Sequence, residues 1–351
     1  MSAPSSASWV QTFSNDFTSA NAQTYLNQWT ANWGTGAQYG ETGWGNNEWE
    51  YYNDATTSGN LSNSNLYVNS NGLNITAIVL SNFTTTDGTS THKPVNSTEI
   101  TSAKIDSSNY FSQTYGLFQW TASAPSGSGL WPALWMMPKN SSYGGWPKSG
   151  EIDVFESGPT WGVNGHGNLQ PSNQQEQGSY HSGTSNVKDI SATQVYNSAS
   201  HPGYNTQDVH TYDLLWLPAG ATFNGTPYPH GVLAWYVDGA LYETQTGSNA
   251  GTNSTGWYNP GGSGATNAAP FDKPFYFIMN IAVGGQYVGY NTPDTRPPIA
   301  AGSYTMTISD VEAFSLSVPE PSGFVLLTLG ALALWRRKMM GGPVDSKAPA
   351  L

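Results

Sequence analysis

The sequence predicts an all-β protein, an antiparallel sandwich or jelly roll with very little helix. Short segments in which apolar and polar residues alternate recur along the chain, for example residues 73–79 and 231–238. Clusters of Gly, Asn, Pro and Ser separate these segments, and there is no sustained helical periodicity or clear internal repeat. Because roughly 200–250 residues or more can form one such domain, residues 1–316 are assigned to a single domain.

The composition narrows the range of partners. The 351 residues include 11 Lys and Arg against 23 Asp and Glu, a formal net charge of -12. Phosphate binding needs a basic surface, so nucleic acid is not expected as a partner. The absence of cysteine excludes disulfides, thiolate metal sites and cysteine nucleophiles. Neutral polar residues must therefore solvate the surface. Together with 14 Trp and 20 Tyr, they suit an extracellular binder of neutral polymers.

Two polar stretches, residues 164–200 and 247–269, are predicted to be long surface loops. Both are rich in Asn, Gly, Ser and Thr. Loops of such length are usually either functional or disordered.

The C-terminal region differs in character from the rest of the chain. A Pro-Glu-Pro motif at 319–321 precedes an uncharged apolar run at 323–335, and Arg336, Arg337 and Lys338 follow directly. The run is short for a membrane span, but the basic cluster after it fits the positive-inside arrangement. A hydrophobic helix packed on the domain is the alternative. We expect a sorting or anchor segment at 317–340 with a short hydrophobic helix, and a disordered tail at 341–351. Residues 1–10 show no recognisable signal peptide.

Three acidic residues, Glu151, Asp153 and Glu156, fall within one six-residue segment. Side chains alternate along a strand, so Glu151 and Asp153 share one face while Val154 points into the core. Glu156 joins that face only if a bulge at Val154 or Phe155 resets the alternation. Acids on one face repel each other, which suits retaining glycoside hydrolysis by two carboxyls roughly 5–5.5 Å apart. A solvated edge strand or a metal site remains an alternative.

Two tryptophans precede the acidic segment. Trp131 and Trp135 are four residues apart in a predicted strand, so they share a face, with the small Ala133 between them. Taken alone, such a pair is more often part of a core. Next to three acids, a groove in which the indoles stack on sugar rings is favoured.

These segments resemble glycoside hydrolase family 16, in its laminarinase-like branch, between residues 17 and 314. The matching segments, in chain order, are residues 43–52, 129–135, 146–156, 210–212, 235–239 and 275–285. The resemblance implies a concanavalin-like β-jelly roll of two curved antiparallel sheets, whose concave sheet forms the substrate cleft. The C-terminal region resembles a PEP-CTERM sorting tail, which implies an exported bacterial protein, extracellular or on the cell surface, and a sorting protease.

The resemblance also implies roles for individual residues. Glu151 would be the nucleophile, Asp153 its assisting carboxylate and Glu156 the general acid/base. The substrate-binding residues would be Trp131, Trp135, Asn46 and His181, with His166 as the other candidate for the cleft histidine. No cofactor is required for catalysis. Asp310 stands where many members bind a structural Ca²⁺, and oxygen ligands suit that ion.

The expected function is endo-hydrolysis of laminarin-type β-1,3-glucan with retention, by a monomer. Agar-type galactan, mixed-linkage glucan and transglycosylation remain open within the family. Two alternatives lie outside the enzyme class. One is a non-catalytic carbohydrate-binding protein, and the other is a cell-surface protein whose β-sandwich has a purely structural role. The sequence departs from the family pattern at positions that affect the sugar-binding subsites. Lys104 stands where an Arg is common in the family, and Tyr287 lies near the position of a Trp that is common in the family.

Overall fold

Strands dominate the part of the chain that the computed structural model describes, namely residues 8–54, 56–57, 60–81, 99–158, 172–183, 190–288 and 299–317. The strands of the first half are β1 (Ser8–Asp16), β2 (Thr30–Asn32), β3 (Tyr51–Tyr52), β4 (Thr56–Thr57), β5 (Asn60–Leu61), β6 (Leu66–Asn69), β7 (Gly72–Val79), β8 (Ile100–Ser102), β9 (Lys104–Asp106), β10 (Gly116–Ser123), β11 (Leu130–Pro138) and β12 (Glu151–Glu156). Those of the second half are β13 (Gln175–Ser182), β14 (Ile190–Asn197), β15 (His210–Leu217), β16 (Ala221–Phe223), β17 (Thr226–Tyr228), β18 (Val232–Val237), β19 (Ala240–Ala250), β20 (Trp257–Asn259), β21 (Phe275–Val283) and β22 (Gly302–Ser317).

Helix is almost absent from the described residues. A single α-helix, α1, spans Ala22–Leu26. Short 3₁₀ turns occur at Ala37–Tyr39, Thr42–Gly45 and Ser172–Gln174.

Two sheets make up the sandwich. The seven-stranded sheet has the order β14-β13-β12-β11-β21-β9-β2, and every neighbouring pair in it is antiparallel. The eleven-stranded sheet follows the order β20-β19-β18-β15-β10-β22-β7-β8-β3, with β1 paired to β22 and β6 to β7. Two small hairpins, β4–β5 and β16–β17, stand apart from both sheets. The prediction of an all-β jelly-roll sandwich is confirmed.

The core between the two sheets is aromatic. Trp120 on β10 meets Phe277 on β21 edge to face at 4.9 Å, and Trp216 on β15 meets Phe275 at 5.3 Å. All four side chains are fully buried. Edge-to-face aromatic pairs contribute about 0.5–1.5 kcal/mol beyond the area they bury. Because one face of the seven-stranded sheet packs on this core, its other face is left to form a cleft.

The prediction of two long polar loops is wrong. The first stretch contains β13 and β14, which extend the seven-stranded sheet at one edge, and the second contains the end of β19 and β20. In β13 the apolar alternation is lacking because polar side chains are hydrogen-bonded inside the structure. Ser179 bonds to Asp153, and Ser182 accepts from the amide of Tyr258.

The C-terminal segment follows β22, which ends at Ser317. Residues 318–351, which include the predicted hydrophobic helix and tail, lie outside the described residues. Among the described residues, no helix has the length and apolar character needed to cross a membrane. The boundary at residue 316 therefore stays a prediction.

Candidate active site

A bulge in β12 brings the three acids to the outward face of the seven-stranded sheet. Asp153 pairs with Ser179 on β13 and Glu156 with Gln177, so Val154 and Phe155 together oppose one residue of β13. Val154 and Phe155 are both buried in the core. The predicted bulge is confirmed, and it puts Glu156 on the same face as Glu151 and Asp153 although the spacing is five residues.

Glu156 and Asp153 are buried and hydrogen-bonded. The indole of Trp131 donates from Nε1 to Oε1 of Glu156 at 2.9 Å, and the Gln177 amide donates to Oε2 at 3.2 Å. The Ser179 hydroxyl donates to Oδ2 of Asp153 at 2.7 Å and lies 3.4 Å from Oε2 of Glu156. Ser179 therefore links the two carboxyls.

Glu151 is partly open to the cleft. It pairs with His181 across β12 and β13. The Nε2 atom of His181 lies 3.2 Å from Oδ2 of Asp153 and 3.9 Å from Oε1 of Glu151. The indole of Trp146 donates to Oε2 of Glu151 at 2.8 Å. His181 thus lies inside the acidic cluster, whereas His166 is outside the described residues.

The cluster retains protons at unusually high pH. Burial, and next the Asp153 carboxylate, raise the pKa of Glu151 to about 8. The same two causes raise the pKa of Glu156 to about 7. Because neighbouring carboxylates repel each other, the cluster favours a state near neutral pH in which one carboxyl is protonated and another is ionised, and the proton is shared by the interacting groups.

The two tryptophans of β11 flank the floor of the cleft, as predicted. The indole of Trp135 donates to Oδ1 of Asn280 on β21 at 2.7 Å. Trp131 stacks on Tyr287, with ring centroids 4.6 Å apart. Ala133 between the tryptophans and the buried Asn280 both line the cleft. The small side chain of Ala133 leaves the space above the floor open.

The segment before β3 contributes a second acidic pair that the sequence did not predict. Oε1 of Glu48 accepts from the amide of Asn46 at 3.3 Å, and Oε2 accepts from the hydroxyl of Tyr52 at 3.2 Å. Glu50 is buried and accepts from the backbone amide of Val283 at 2.6 Å. Burial raises the pKa of both glutamates. The predicted residue Asn46 and the unpredicted Glu48 both line the cleft.

Lys104 lies at the same end of the cleft. Its Nζ atom is 4.4 Å from the ring centroid of Trp44 and 4.8 Å from that of Trp135. Burial lowers the pKa of Lys104, and Glu48 is the strongest of the carboxylates that counter this effect. The signal that could have located this end was the alternation of Glu48 and Glu50, which puts both acids on one side of an extended segment.

Asp310 lies away from this cleft, on β22 of the other sheet. Its Oδ2 accepts from the hydroxyl of Ser309 at 2.7 Å. Ca²⁺ takes six to eight oxygen ligands. Within the described residues, the acids and histidines close enough to hold a metal ion are Glu151, Asp153 and His181. Coordination at Asp310 would therefore depend on backbone oxygens as well, and calcium there stays a prediction.

A sandwich whose outward cleft combines buried carboxyls with flanking indoles is the architecture of a polysaccharide-cleaving glycoside hydrolase. Residues 49–292 match the family described as "XgeA-like, catalytic GH16 domain". The chain belongs to glycoside hydrolase family 16. Residues 317–338 match the PEP-CTERM protein-sorting motif, which points to bacterial export, to the cell surface or beyond.

The chain is also similar to several named glucanases. The chain is 33% identical over 275 residues to glucan endo-1,3-beta-glucosidase A1 of Niallia circulans, covering 77% of this chain and 32% of that protein. It is 31% identical to glucan endo-1,3-beta-glucosidase of Cryptopygus antarcticus, covering 80% of this chain and 83% of that protein. The laminarinase structure from Rhodothermus marinus superposes with a TM-score of 0.61 at 25% identity, covering 89% of this chain and 99% of that chain. The chain thus spans about a third of the length of the Niallia circulans protein.

Proposed function

We propose that this protein is an endo-acting hydrolase that cleaves β-1,3-glucan of the laminarin type with retention of configuration. The observation that carries the proposal is the bulge in β12, because it directs Glu151, Asp153 and Glu156 toward one cleft. The two endo-1,3-beta-glucosidases and the laminarinase structure described above support the choice of substrate.

The proposed reaction is a double displacement. Glu151 attacks the anomeric carbon while the carboxyl of Glu156 gives its proton to the leaving glycosidic oxygen. Glu156 then takes a proton from water, which attacks the glycosyl-enzyme and frees Glu151. Asp153, whose carboxylate raises the pKa of both glutamates, controls how protons are shared in the cluster.

The charge of the cleft favours a neutral polymer. Its lining carries four acids, Glu48, Glu151, Asp153 and Glu156, against the single lysine Lys104. Like charges repel strongly in a partly dehydrated site, so sulfated or carboxylated glycans would bind poorly. This argues against carrageenan and for a neutral polysaccharide such as laminarin.

Reducing-sugar release from laminarin tests the proposal. The Glu151→Gln variant should lose at least about 1000-fold in kcat, whereas Glu99→Gln, at an exposed surface position, should match the wild type. Lichenan, agar and carrageenan serve as competing substrates, and NMR of the first product should show the β-anomer. Equal rates for wild type and Glu151→Gln would discard the assignment. Binding to laminarin without turnover over days would favour a non-catalytic carbohydrate-binding protein.

For the C-terminal motif we propose processing by a sorting protease that recognises the Pro-Glu-Pro sequence and removes the apolar segment. The match over residues 317–338 supports this proposal. Mass spectrometry of the exported protein should detect a chain that ends near residue 320, and alanines at Pro319 and Pro321 should abolish that product. An exported chain that retains residues 323–338 would contradict it.

A further inference from the structure

The two carboxyl oxygens of Glu156 have different neighbours. Oε1 accepts one hydrogen bond, from the indole nitrogen of Trp131 at 2.9 Å. Oε2 accepts from the side-chain amide of Gln177 at 3.2 Å, and the hydroxyl oxygen of Ser179 lies 3.4 Å from it. A carboxylate oxygen offers about two lone-pair sites. Among the described residues, the neighbours of Glu156 therefore occupy both sides of Oε2 and leave one site of Oε1 open.

Oε1 is also the oxygen on the side of the cleft. The residue that binds it, Trp131, lines the cleft together with Glu156. Gln177 is only 5% exposed and is not part of the described cleft lining. Trp131 thus binds Glu156 from the cleft side, whereas Gln177 binds it from within the sheet.

The position of Gln177 is fixed by the strand that carries it. Gln177 pairs with Glu156 on β12 and with Val195 on β14, so β13 has a hydrogen-bonded strand on each side. The next residue, Gly178, packs against the opposite sheet, and a Cβ atom there would lie 2.5 Å from Cδ1 of the buried Trp235. A glycine in a strand allows such a close approach. The fold thus sets the distance between the amide and the carboxyl.

We propose that Gln177 is a positioning residue for Glu156: its amide occupies Oε2, so the proton that Glu156 gives to the leaving glycosidic oxygen is carried on Oε1. This inference rests on the proposed function. In the first step the O–H bond at Oε1 breaks and an O–H bond forms at the glycosidic oxygen. The bond between that oxygen and the anomeric carbon breaks, its electron pair stays on the oxygen, and Glu151 bonds to the carbon. The amide of Gln177 stabilises the Glu156 carboxylate that results.

A proton on Oε2 would be unproductive. It would meet the N–H of Gln177, which is itself a donor, or Oγ of Ser179 at 3.4 Å, which is too far for a strong hydrogen bond between hydroxyl groups. Ser179 gives its own proton to Oδ2 of Asp153 at 2.7 Å. Without the Gln177 amide, a proton on Oε2 is no longer disfavoured. The fraction of Glu156 that can act as the acid then falls.

The amide of Gln177 also affects the charge state of Glu156. Burial, and next the Asp153 carboxylate, raise the pKa of Glu156 to about 7, and the Gln177 amide is among the groups that oppose this rise. Removal of the amide should therefore raise the pKa of Glu156 further. The titratable groups that interact electrostatically with Glu156 are Glu151 and Asp153 on β12, Glu176 and His181 on β13, and Tyr287 after β21. Substitution of Gln177 keeps all of them in place.

The dependence of the rate on the leaving group tests the inference. Cleavage of laminarin needs a proton on the leaving sugar oxygen, whereas a dinitrophenyl β-laminaribioside releases a stable phenolate and needs none. Gln177→Met keeps the length of the side chain and removes the N–H. It should lower kcat/KM on laminarin by about 10-fold or more, and on the aryl substrate by about twofold or less. Gln177→Asn retracts the same amide by one methylene and should show the same contrast.

Gln175→Met is the matched control. Gln175 lies on the same strand, is equally buried and bonds to the carbonyl of Gly158 rather than to a carboxyl. Its variant should keep the wild-type kcat/KM on both substrates. A purely structural role of Gln177 predicts equal losses on the two substrates together with a lower melting temperature. That result, or an unchanged kcat/KM on laminarin, overturns the inference.

A titration without substrate separates this inference from the proposed function. In ¹³C NMR titrations of carboxyl-labelled protein, with Glu156 assigned through Glu156→Gln, Gln177→Met should raise the titration midpoint of Glu156. An unchanged midpoint overturns the inference. A wild type that leaves laminarin intact refutes the glucanase proposal instead, and the NMR titration then decides the role of Gln177 alone.

Discussion

The indole nitrogen of Trp131 donates a 2.9 Å hydrogen bond to Oε1 of Glu156, so a tryptophan of the cleft also holds the predicted acid/base. The same indole stacks on Tyr287, which replaces a tryptophan usual near this position and keeps an aromatic partner there. The side chain predicted to contact sugar is therefore also the one that holds the predicted proton donor.

Replacing Trp131 by Phe should change both the rate and its pH dependence. The N–H bond favours ionised Glu156, so its loss raises the pKa of Glu156 and moves the alkaline limb to higher pH. We expect kcat to fall by about 10-fold, because hydrogen bonds to charged groups contribute about 1.5–3 kcal/mol. The measurement is kcat/KM as a function of pH. Tyr287→Phe keeps the stacked ring and serves as the control; an unchanged alkaline limb in Trp131→Phe would contradict the argument.

The wild-type pH profile should be bell-shaped, with both limbs near neutral pH. Hydrolysis requires one of Glu151 and Glu156 ionised and the other protonated, and their pKa values are raised to about 8 and about 7. The two pKa values that the limbs report are properties of the interacting pair and cannot be assigned to one residue each. His181→Gln should keep both limbs but move them to higher pH, because His181 lowers the pKa of both glutamates. A profile with a single limb at the ordinary histidine pKa of about 6.5 would be inconsistent with this site.

Glu151→Gln should stabilise the protein at alkaline pH. The pKa of Glu151 is raised from 4.5 to about 8, so the folded state binds this proton more tightly than the unfolded state does. Stability attributable to Glu151 is therefore present below about pH 4.5 and is lost as pH rises toward about 8. Calorimetry should show a melting temperature several degrees above wild type at about pH 9, and a difference close to zero at about pH 4. Equal melting temperatures at alkaline pH would refute the burial cost assigned to Glu151.

Ala133→Leu should block the cleft without unfolding the sandwich. Ala133 pairs with Glu156 on one side and Asn280 on the other, between the two indoles of β11. A leucine side chain would occupy the place of the sugar ring, so we expect a loss of activity of about 100-fold or more. Circular dichroism should remain that of wild type. Ala133→Gly keeps the cleft open and should retain most activity; full activity in Ala133→Leu would show that substrate binds elsewhere.

The sequence contained enough information for the sandwich and for the acidic strand. A six-residue segment with three acids can direct them to one face only through a bulge, so the spacing of Glu151, Asp153 and Glu156 determined the local geometry. The positions of Trp131, Trp135 and His181 followed from strand alternation and family motifs.

Other parts of the site depend on contacts between distant segments. Glu48, Glu50 and Lys104 meet β21 through contacts between distant parts of the chain. The alternation of Glu48 and Glu50 marks two acids on one side of a segment, but it does not show which strand they face. The strand β13 was missed because polar side chains, including Gln177, Ser179 and His181, occupy its outward face. Hydrophobic periodicity cannot detect a strand such as β13, whose outward side chains bond to the acidic cluster.

One core contact connects the opposite sheet to this chemistry. The indole of Trp235 on β18 donates to the backbone carbonyl of Asp153 at 2.8 Å, next to the bulge. The distances between the three carboxyl groups therefore depend on the relative position of the two sheets and not on β12 alone. Pressure or heat that lets the layers slide should therefore abolish turnover well before the molecule melts, giving an inactive state that is still folded.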